Sequence, residues 1–336
     1  VKIALDAGGQ NNDLRPLIEG ARLAAADGLE IVLFGPQDEL EAALRPQGNH
    51  SFAIVDSRFI DLHDVDLQTA CRENPDASIM RAAEAVAGGQ VQAMVSACPP
   101  ACLAAAGTWH MKRLPGVLKP ALVATIPTAQ GPKLLLDAGA QAECKPWHLL
   151  QFAVMGSIYA QKILHIEAPQ VGFLTAGNMV GSTETTRETL PLLKYGGIEF
   201  AGVATGKDLA RGNMDVFVCD GATGDTALKL HSGLAHSIFE MLESNLQSSP
   251  IRKVGGVLAK GALSGAKECS YGADSGGAPL LGLGGPAVAC LGPRSADATK
   301  DALGCAANLA ASDVHQRIRD RLVDMKSDME FARVRN

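Results

Sequence analysis

The chain has 336 residues, a formal net charge of −6, 47% hydrophobic residues and only 4% aromatic ones. That length allows one large domain or two small ones, and at this size folding removes roughly 75% of the unfolded chain's surface from water, so a core needs no covalent staples. There is no Lys/Arg block, which excludes nucleic acid as an expected partner, and no apolar run reaches the about 20 residues of a spanning helix, which leaves only peripheral contact with a membrane.

In chain order, residues 1–6 form a short apolar run ending in a glycine-rich turn, the pattern of a buried parallel strand. Residues 16–27 are Ala-rich and amphipathic, a predicted helix, and residues 30–34 form a second apolar strand closed by Gly35-Pro36. This alternation predicts a parallel sheet covered by helices. Further strands are expected at 53–55, 93–97, 121–125, 133–136, 171–175, 199–204, 216–219 and 287–291. Further helices are expected at 78–87, 100–111, 148–163, 184–195, 226–246 and 296–326. No linker divides the chain, and residues 248–277, with glycine pairs and an SSP sequence, are the least ordered in composition. The eight cysteines, at 71, 98, 102, 144, 219, 269, 290 and 305, form no CxxC pair and no leader is read at the start, so reduced thiols in a cytoplasmic protein are expected.

In a parallel α/β sheet, ligands sit beyond the C-terminal ends of the strands, and five loops fall there. The turn 6–11 (DAGGQN) either offers backbone N–H groups to an anion or is a plain strand-to-helix turn. Ser96-Ala97-Cys98-Pro99-Pro100 opens a helix, because a proline's missing N–H would be unbonded in a first turn anyway. A thiol there is expected to be acidified by the helix dipole, making Cys98 a candidate nucleophile and Cys98 with Cys102 a candidate thioester site or redox pair; the alternative is two small buried hydrophobes. The third loop, 175–183 (TAGNMVGST), holds no lysine. The fourth, 220–225 (DGATGD), precedes a long helix, where Asp225 is placed to cap the helix, act as a base or hold a cation. The fifth comprises 275–280 and 291–295.

The longest ordered pattern is residues 134–161, LLLDAGAQAECKPWHLLQFAVMGSIYAQ, followed by APQVGFL at 168–174. It is similar, without gaps, to the signature of the bacterial phosphate acyltransferase (PlsX) family, and the resemblance runs over about residues 1–322. It implies an α/β fold of three α/β/α layers around a mainly parallel sheet, like isopropylmalate dehydrogenases and phosphotransacetylases. It implies a single acyltransferase-like domain with a helical dimerisation and tip subregion at about 226–270, a homodimer, and a peripheral membrane contact near 246–265. The reaction it implies moves an acyl group from a thioester of acyl carrier protein or CoA to inorganic phosphate, with no cofactor or metal.

Carried over position by position, the family's DAMGGD turn is matched at Asp6, Ala7 and Gly9, its SAGNTGA loop at Ser96 and Ala97, and its glycine-lysine loop at Gly177. Its DGFTGN…LK motif is matched at Asp220, Gly221, Thr223, Gly224 and Lys229, and its YGGA motif at glycines that include Gly276. These are the expected substrate- and phosphate-binding positions, with Cys98, Asp220 and Asp225 the expected catalytic ones. Departures fall in the same loops. Cys-Pro-Pro-Ala replaces Gly-Asn-Thr-Gly at 98–101, and Arg187 or Lys207 would have to stand in for the absent loop lysine. Asp225 replaces an Asn, Ser275 a Tyr and Leu291 a His, while Arg294 is new. The basic run expected before Ser78 is missing, which removes the docking charge an acidic carrier protein needs.

Two readings follow. In the first, phosphate attacks a positioned thioester, with a variant in which Cys98 carries the acyl group covalently. In the second, the chain is a non-catalytic scaffold or regulatory partner of another acyl-transferring enzyme. A dehydrogenase is disfavoured, because no GxGxxG follows a strand.

Overall fold

Every strand expected from the sequence forms, but the strands are divided between two sheets. The computed structural model describes the chain except residues 9–12, 46–51, 61–66, 176–183, 250, 257, 260, 262–275, 292–294 and 335–336. The strands are β1 (Lys2–Asp6), β2 (Glu30–Gly35), β3 (Ala53–Asp56), β4 (Ala93–Ser96), β5 (Ala121–Leu122), β6 (Ala124–Ile126), β7 (Lys133–Leu136), β8 (Val171–Leu174), β9 (Phe200–Ala204), β10 (Val216–Val218), β11 (Gly277–Leu281) and β12 (Ala287–Cys290). One sheet has the order β3-β2-β1-β4-β12-β11-β5 and the other β6-β7-β10-β8-β9. All pairings are parallel except those of β11 with β12 and β5 and of β6 with β7.

The helices are α1 (Arg15–Ala26), α2 (Gln37–Leu44), α3 (Leu67–Glu73), α4 (Ser78–Ala87), α5 (Pro100–His110), α6 (Pro146–Ile163), α7 (Glu184–Tyr195), α8 (Gly206–Arg211), α9 (Gly221–Gln247), α10 (Ala296–Ala311) and α11 (Val314–Val334). Successive strand residues point to opposite faces, and both faces are apolar here. Ile3, Leu5, Val216 and Val218 join one core with α1, α6, α10 and the start of α11. Ala4 and Phe217 join another with α4 and α5. Helices on both faces of largely parallel sheets make the three layers expected.

Three expectations are corrected. The single strand at 121–125 is two short strands with Val123 between them, so the chain passes here from one sheet to the other; the Val123 N–H is held by the Pro279 carbonyl at 2.8 Å. The helix at 296–326 breaks at Ser312, whose backbone is extended, while Asp313 binds Arg317 at 2.6 Å and Lys162 at 3.1 Å. Residues 277–281, read as loop, form β11, buried between β12 and β5. No described helix is long and apolar enough to cross a membrane.

Candidate active site

Two constellations form at strand C-termini, each organised by a buried carboxylate. The first joins β1 and β4. Their register pairs Asp6 with Ser96, so the side chains lie on the same face, and Ser96 Oγ donates to Asp6 Oδ2 at 2.6 Å. The Gly8 N–H donates to Asp6 Oδ1 at 2.9 Å, and the Cys98 N–H to Ser96 Oγ at 3.1 Å. A Cβ at Gly8 would sit 2.9 Å from Ser78 Oγ and 3.3 Å from Cys98 Sγ, so the turn closes only over glycine. Asp6 thus sets the shape of both loops.

Within this cluster the structure places Cys98 in the core rather than at the surface. It does stand beside the start of α5, but only 3% of it is exposed. Burial pushes its thiol well above the ordinary range, and the Asp6 carboxylate adds to the rise. Burial acts against the acidification expected of a helix start, because taking a thiolate out of water is costly. Cys102 is fully buried, and its thiol is also raised, first by its hydrogen bond with Cys71 and then by burial. Their burial matches the alternative expected from the sequence, two small buried hydrophobes.

The second constellation centres on Asp137, which follows the three buried leucines of β7. Its Oδ1 accepts from the Leu122 N–H at 2.8 Å and the Ala140 N–H at 3.1 Å, and its Oδ2 from the Gln141 N–H at 2.7 Å. Burial raises its pKa to about 6 against the opposing pull of these amides. The start of α9 lies on this loop. A Cβ at Gly224 would fall 1.8 Å from the Asp137 carbonyl oxygen, and one at Gly221 2.2 Å from that of Gln141. Gly139, at φ +120°, faces Asp225 from the other side, with its Cβ position 3.3 Å from that side chain.

The helix cap is Asp220, a correction to the capping expected of Asp225: Asp220 accepts from the Thr223 N–H and Oγ1, both at 2.9 Å. Asp225 lies one turn inside the helix, half-exposed, in an ion pair with Lys229 at 2.7 Å. Asp6, Ser96 and Cys98 are therefore together, and Asp220, Gly221, Thr223, Gly224, Asp225 and Lys229 are together. Gly276 joins neither group; it opens on a cavity of about 520 Å3 bounded by α1, α6 and α10. Arg187 and Lys207 are exposed on α7 and α8. Gly9, Gly177, Ser275 and Arg294 lie outside the described residues. Sequence reasoning missed Asp137 and Gln141 as organisers, although a lone carboxylate ending a three-leucine strand was the available signal. Among the described residues, no group of three or more His, Cys, Asp or Glu side chains is placed to hold a metal.

The fold matches solved structures of a defined class. A phosphotransacetylase from Streptococcus pyogenes superposes with a TM-score of 0.61 over 92% of this chain and 94% of that one, at 16% identity. A branched-chain phosphotransacylase from Enterococcus faecalis V583 gives 0.51 over 93% and 100%, at 15% identity. The architecture is that of the phosphotransacetylases. The profile described as "Fatty acid synthesis protein" matches residues 1–317. A phosphate acyltransferase of Elusimicrobium minutum (strain Pei191) is 38% identical over 98% of this chain and 98% of its own length. One of Pelotomaculum thermopropionicum is 37% identical over 100% and 97%. The chain belongs to this fatty acid synthesis protein family and to the family of these phosphate acyltransferases.

Proposed function

We infer that the chain transfers an acyl group from an acyl thioester to inorganic phosphate. A phosphate oxygen attacks the thioester carbonyl carbon, the C–S bond breaks, and the proton shed by hydrogen phosphate ends on the departing thiol. The observation that carries this reading is end-to-end similarity to phosphate acyltransferases, which also leaves the scaffold alternative unfavoured. The chain's part is positioning and electrostatics. We place the phosphate at the start of α9, whose dipole favours an anion, with Asp220 and Asp137 fixing the helix start. An ionised Asp225 would oppose a bound anion, but its ion pair with Lys229 offsets that charge.

Purified protein, phosphate and a panel of acyl-CoA and acyl-carrier thioesters, with product trapped as a hydroxamate, test the reading directly. Wild type is expected to form product, and Cys98→Ala to retain it within about threefold, as suits a buried un-ionised thiol. No product from any thioester would remove the acyl-transfer reading, and product lost only in Cys98→Ala would restore the covalent route.

We propose that a second copy covers α9. Leu230, Leu234, Ile238, Met241 and Leu242 form an apolar stripe that is 41–63% exposed, at the spacing of one helix face. Ile238→Asp is expected to turn a dimer into a monomer in sedimentation, and an unchanged mass would remove the stripe from the interface. Beyond α9, Ile251, Val254 and Leu258 are also exposed, and we propose these as the peripheral membrane contact, checked by co-sedimentation with vesicles; residues 257 and 262–275 of that region lie outside the described residues. We place the protein in the cytoplasm, a reading supported by seven free cysteines among the described residues.

A further inference from the structure

We propose that the cleft beside α5 docks the acidic face of the carrier protein that delivers the acyl thioester. The proposal rests on the acyl-transfer reading above. A cavity of about 500 Å3 lies between α3, α5 and the segment leading to β5. It is lined by Arg72 from α3, by Trp109, Lys112 and Arg113 around the end of α5, and by Leu118 and Lys119. Among the described residues, no carboxylate lines it and none of its four cations makes an ion pair. Four cations are thus gathered in one cleft of a chain whose net charge is −6.

Three of the four cations are held in place by backbone carbonyls rather than free to sweep through solvent. Lys112 Nζ donates to the Trp109 carbonyl at 2.7 Å, Lys119 Nζ to the Glu143 carbonyl at 2.9 Å, and the Arg113 guanidinium to the Leu118 carbonyl. Their field reaches His148, whose imidazole is held below its usual range by burial and then by Lys119, Lys145 and Arg113. Trp109 and Leu118, 53% and 44% exposed, supply apolar anchors inside the cationic rim. The cleft is also lined by Gln141, whose N–H holds Asp137 and whose carbonyl abuts Gly221. The cleft therefore borders the candidate site.

Its chemistry selects an acidic protein face over a nucleotide. Exposed aromatic and aliphatic anchors ringed by charge are the makings of a protein interface. Among the described residues, no glycine lines the cleft to let backbone N–H groups cradle a pyrophosphate, as phosphate-binding loops require. The docking charge missing as a run before Ser78 is assembled instead from three separate segments.

The test is equilibrium binding of acyl carrier protein lacking its pantetheine arm, so that the surface is read without the site. Wild type is expected to bind it in a salt-sensitive manner. The double variant Arg72→Glu/Lys112→Glu, and separately Trp109→Ala with an unchanged circular dichroism spectrum, are expected to bind about tenfold or more weakly. Equal binding by wild type and both variants, or no binding by wild type, overturns the proposal. So does a loss of CoA binding as large as the loss of carrier binding, which would assign the cleft to small-molecule phosphates. Cleft-dependent binding by a chain that makes no acyl phosphate would keep the docking surface and remove the reaction. Acyl phosphate formation with cleft-independent binding would do the reverse.

Discussion

Gly224→Ala is expected to lower stability by about 2–4 kcal/mol and to remove most acyl phosphate formation. Alanine is intrinsically better than glycine inside a helix by about 1 kcal/mol, so a helix considered alone would gain from the change. The surroundings decide otherwise. The new Cβ would lie 1.8 Å from the Asp137 carbonyl oxygen, 2.9 Å from its carbon and 3.1 Å from Ala138 Cα. All three are backbone atoms, so no flexible side-chain end can yield, and α9 must lift off the Asp137–Gln141 loop. That displaces the helix start from where we place the phosphate, and a shift of about 1 Å at a positioned reactant costs on the order of a hundredfold in rate. Gly206→Ala is the control: its Cβ would meet nothing within 4 Å, and its effect should stay within about 1 kcal/mol. Urea unfolding of both variants, with the hydroxamate assay, checks the prediction, and a Gly224→Ala protein as stable and active as Gly206→Ala would refute the close approach.

Gly224 and its neighbour Gly221 explain why part of the site was hidden in the sequence. Gly221 and Gly224 are poor helix formers, so the helix was expected to start at 226, whereas it starts at Gly221 and Asp220 is its cap. A rule of local propensity lost to a tertiary need for close contact. Strand β11 was hidden in the same way, since Gly277 and Pro279 read as loop, yet Pro279 has no N–H to give and its carbonyl serves the link between the two sheets. The strands themselves were legible because burial on both faces leaves continuous apolar runs such as those of β1 and β7. What no pattern in the chain encodes is depth. Cys98 sits where a helix start was expected, but the sign of its pKa shift is set by burial. Charge assembled across the chain was equally invisible: Arg72, Lys112, Arg113 and Lys119 make no run, and only the packing of α3 against α5 makes them neighbours.

The remaining large effect lies at Asp137, where structure and pH are linked. Its carboxyl is raised from 3.8 to about 6 by burial, even though the backbone amides of Leu122, Ala140, Gln141 and Gly139 pull the other way, the first, second and third of them through hydrogen bonds at 2.8, 3.1 and 2.7 Å. The folded state therefore holds this proton more tightly than the unfolded chain, and between about pH 4 and pH 6 folding takes one up. Stability is greatest below the unfolded value and falls as pH rises through the folded one, by about 3 kcal/mol in all at about 1.4 kcal/mol per pH unit. This is the reverse of the usual salt-bridged aspartate, whose contribution is lost on acidification. Asp137→Asn is expected to abolish that slope, because its side chain does not titrate. It does not restore the site: the amide oxygen can serve Leu122 and Ala140, but its NH2 then faces the Gln141 N–H, donor against donor. Asp137→Ala strips all three donors of their acceptor and is expected to cost about 3–5 kcal/mol near pH 5. The carboxylate is thus unfavourable as a buried charge and indispensable as a triple acceptor, which is how a residue with a raised pKa can still organise the loop under α9. Unfolding free energies of wild type and both variants at pH 4.5, 5.5 and 7 separate these roles. Parallel profiles for wild type and Asp137→Asn would mean that the carboxyl does not titrate in this range, and a mild Asp137→Ala would mean that the three amides find other partners.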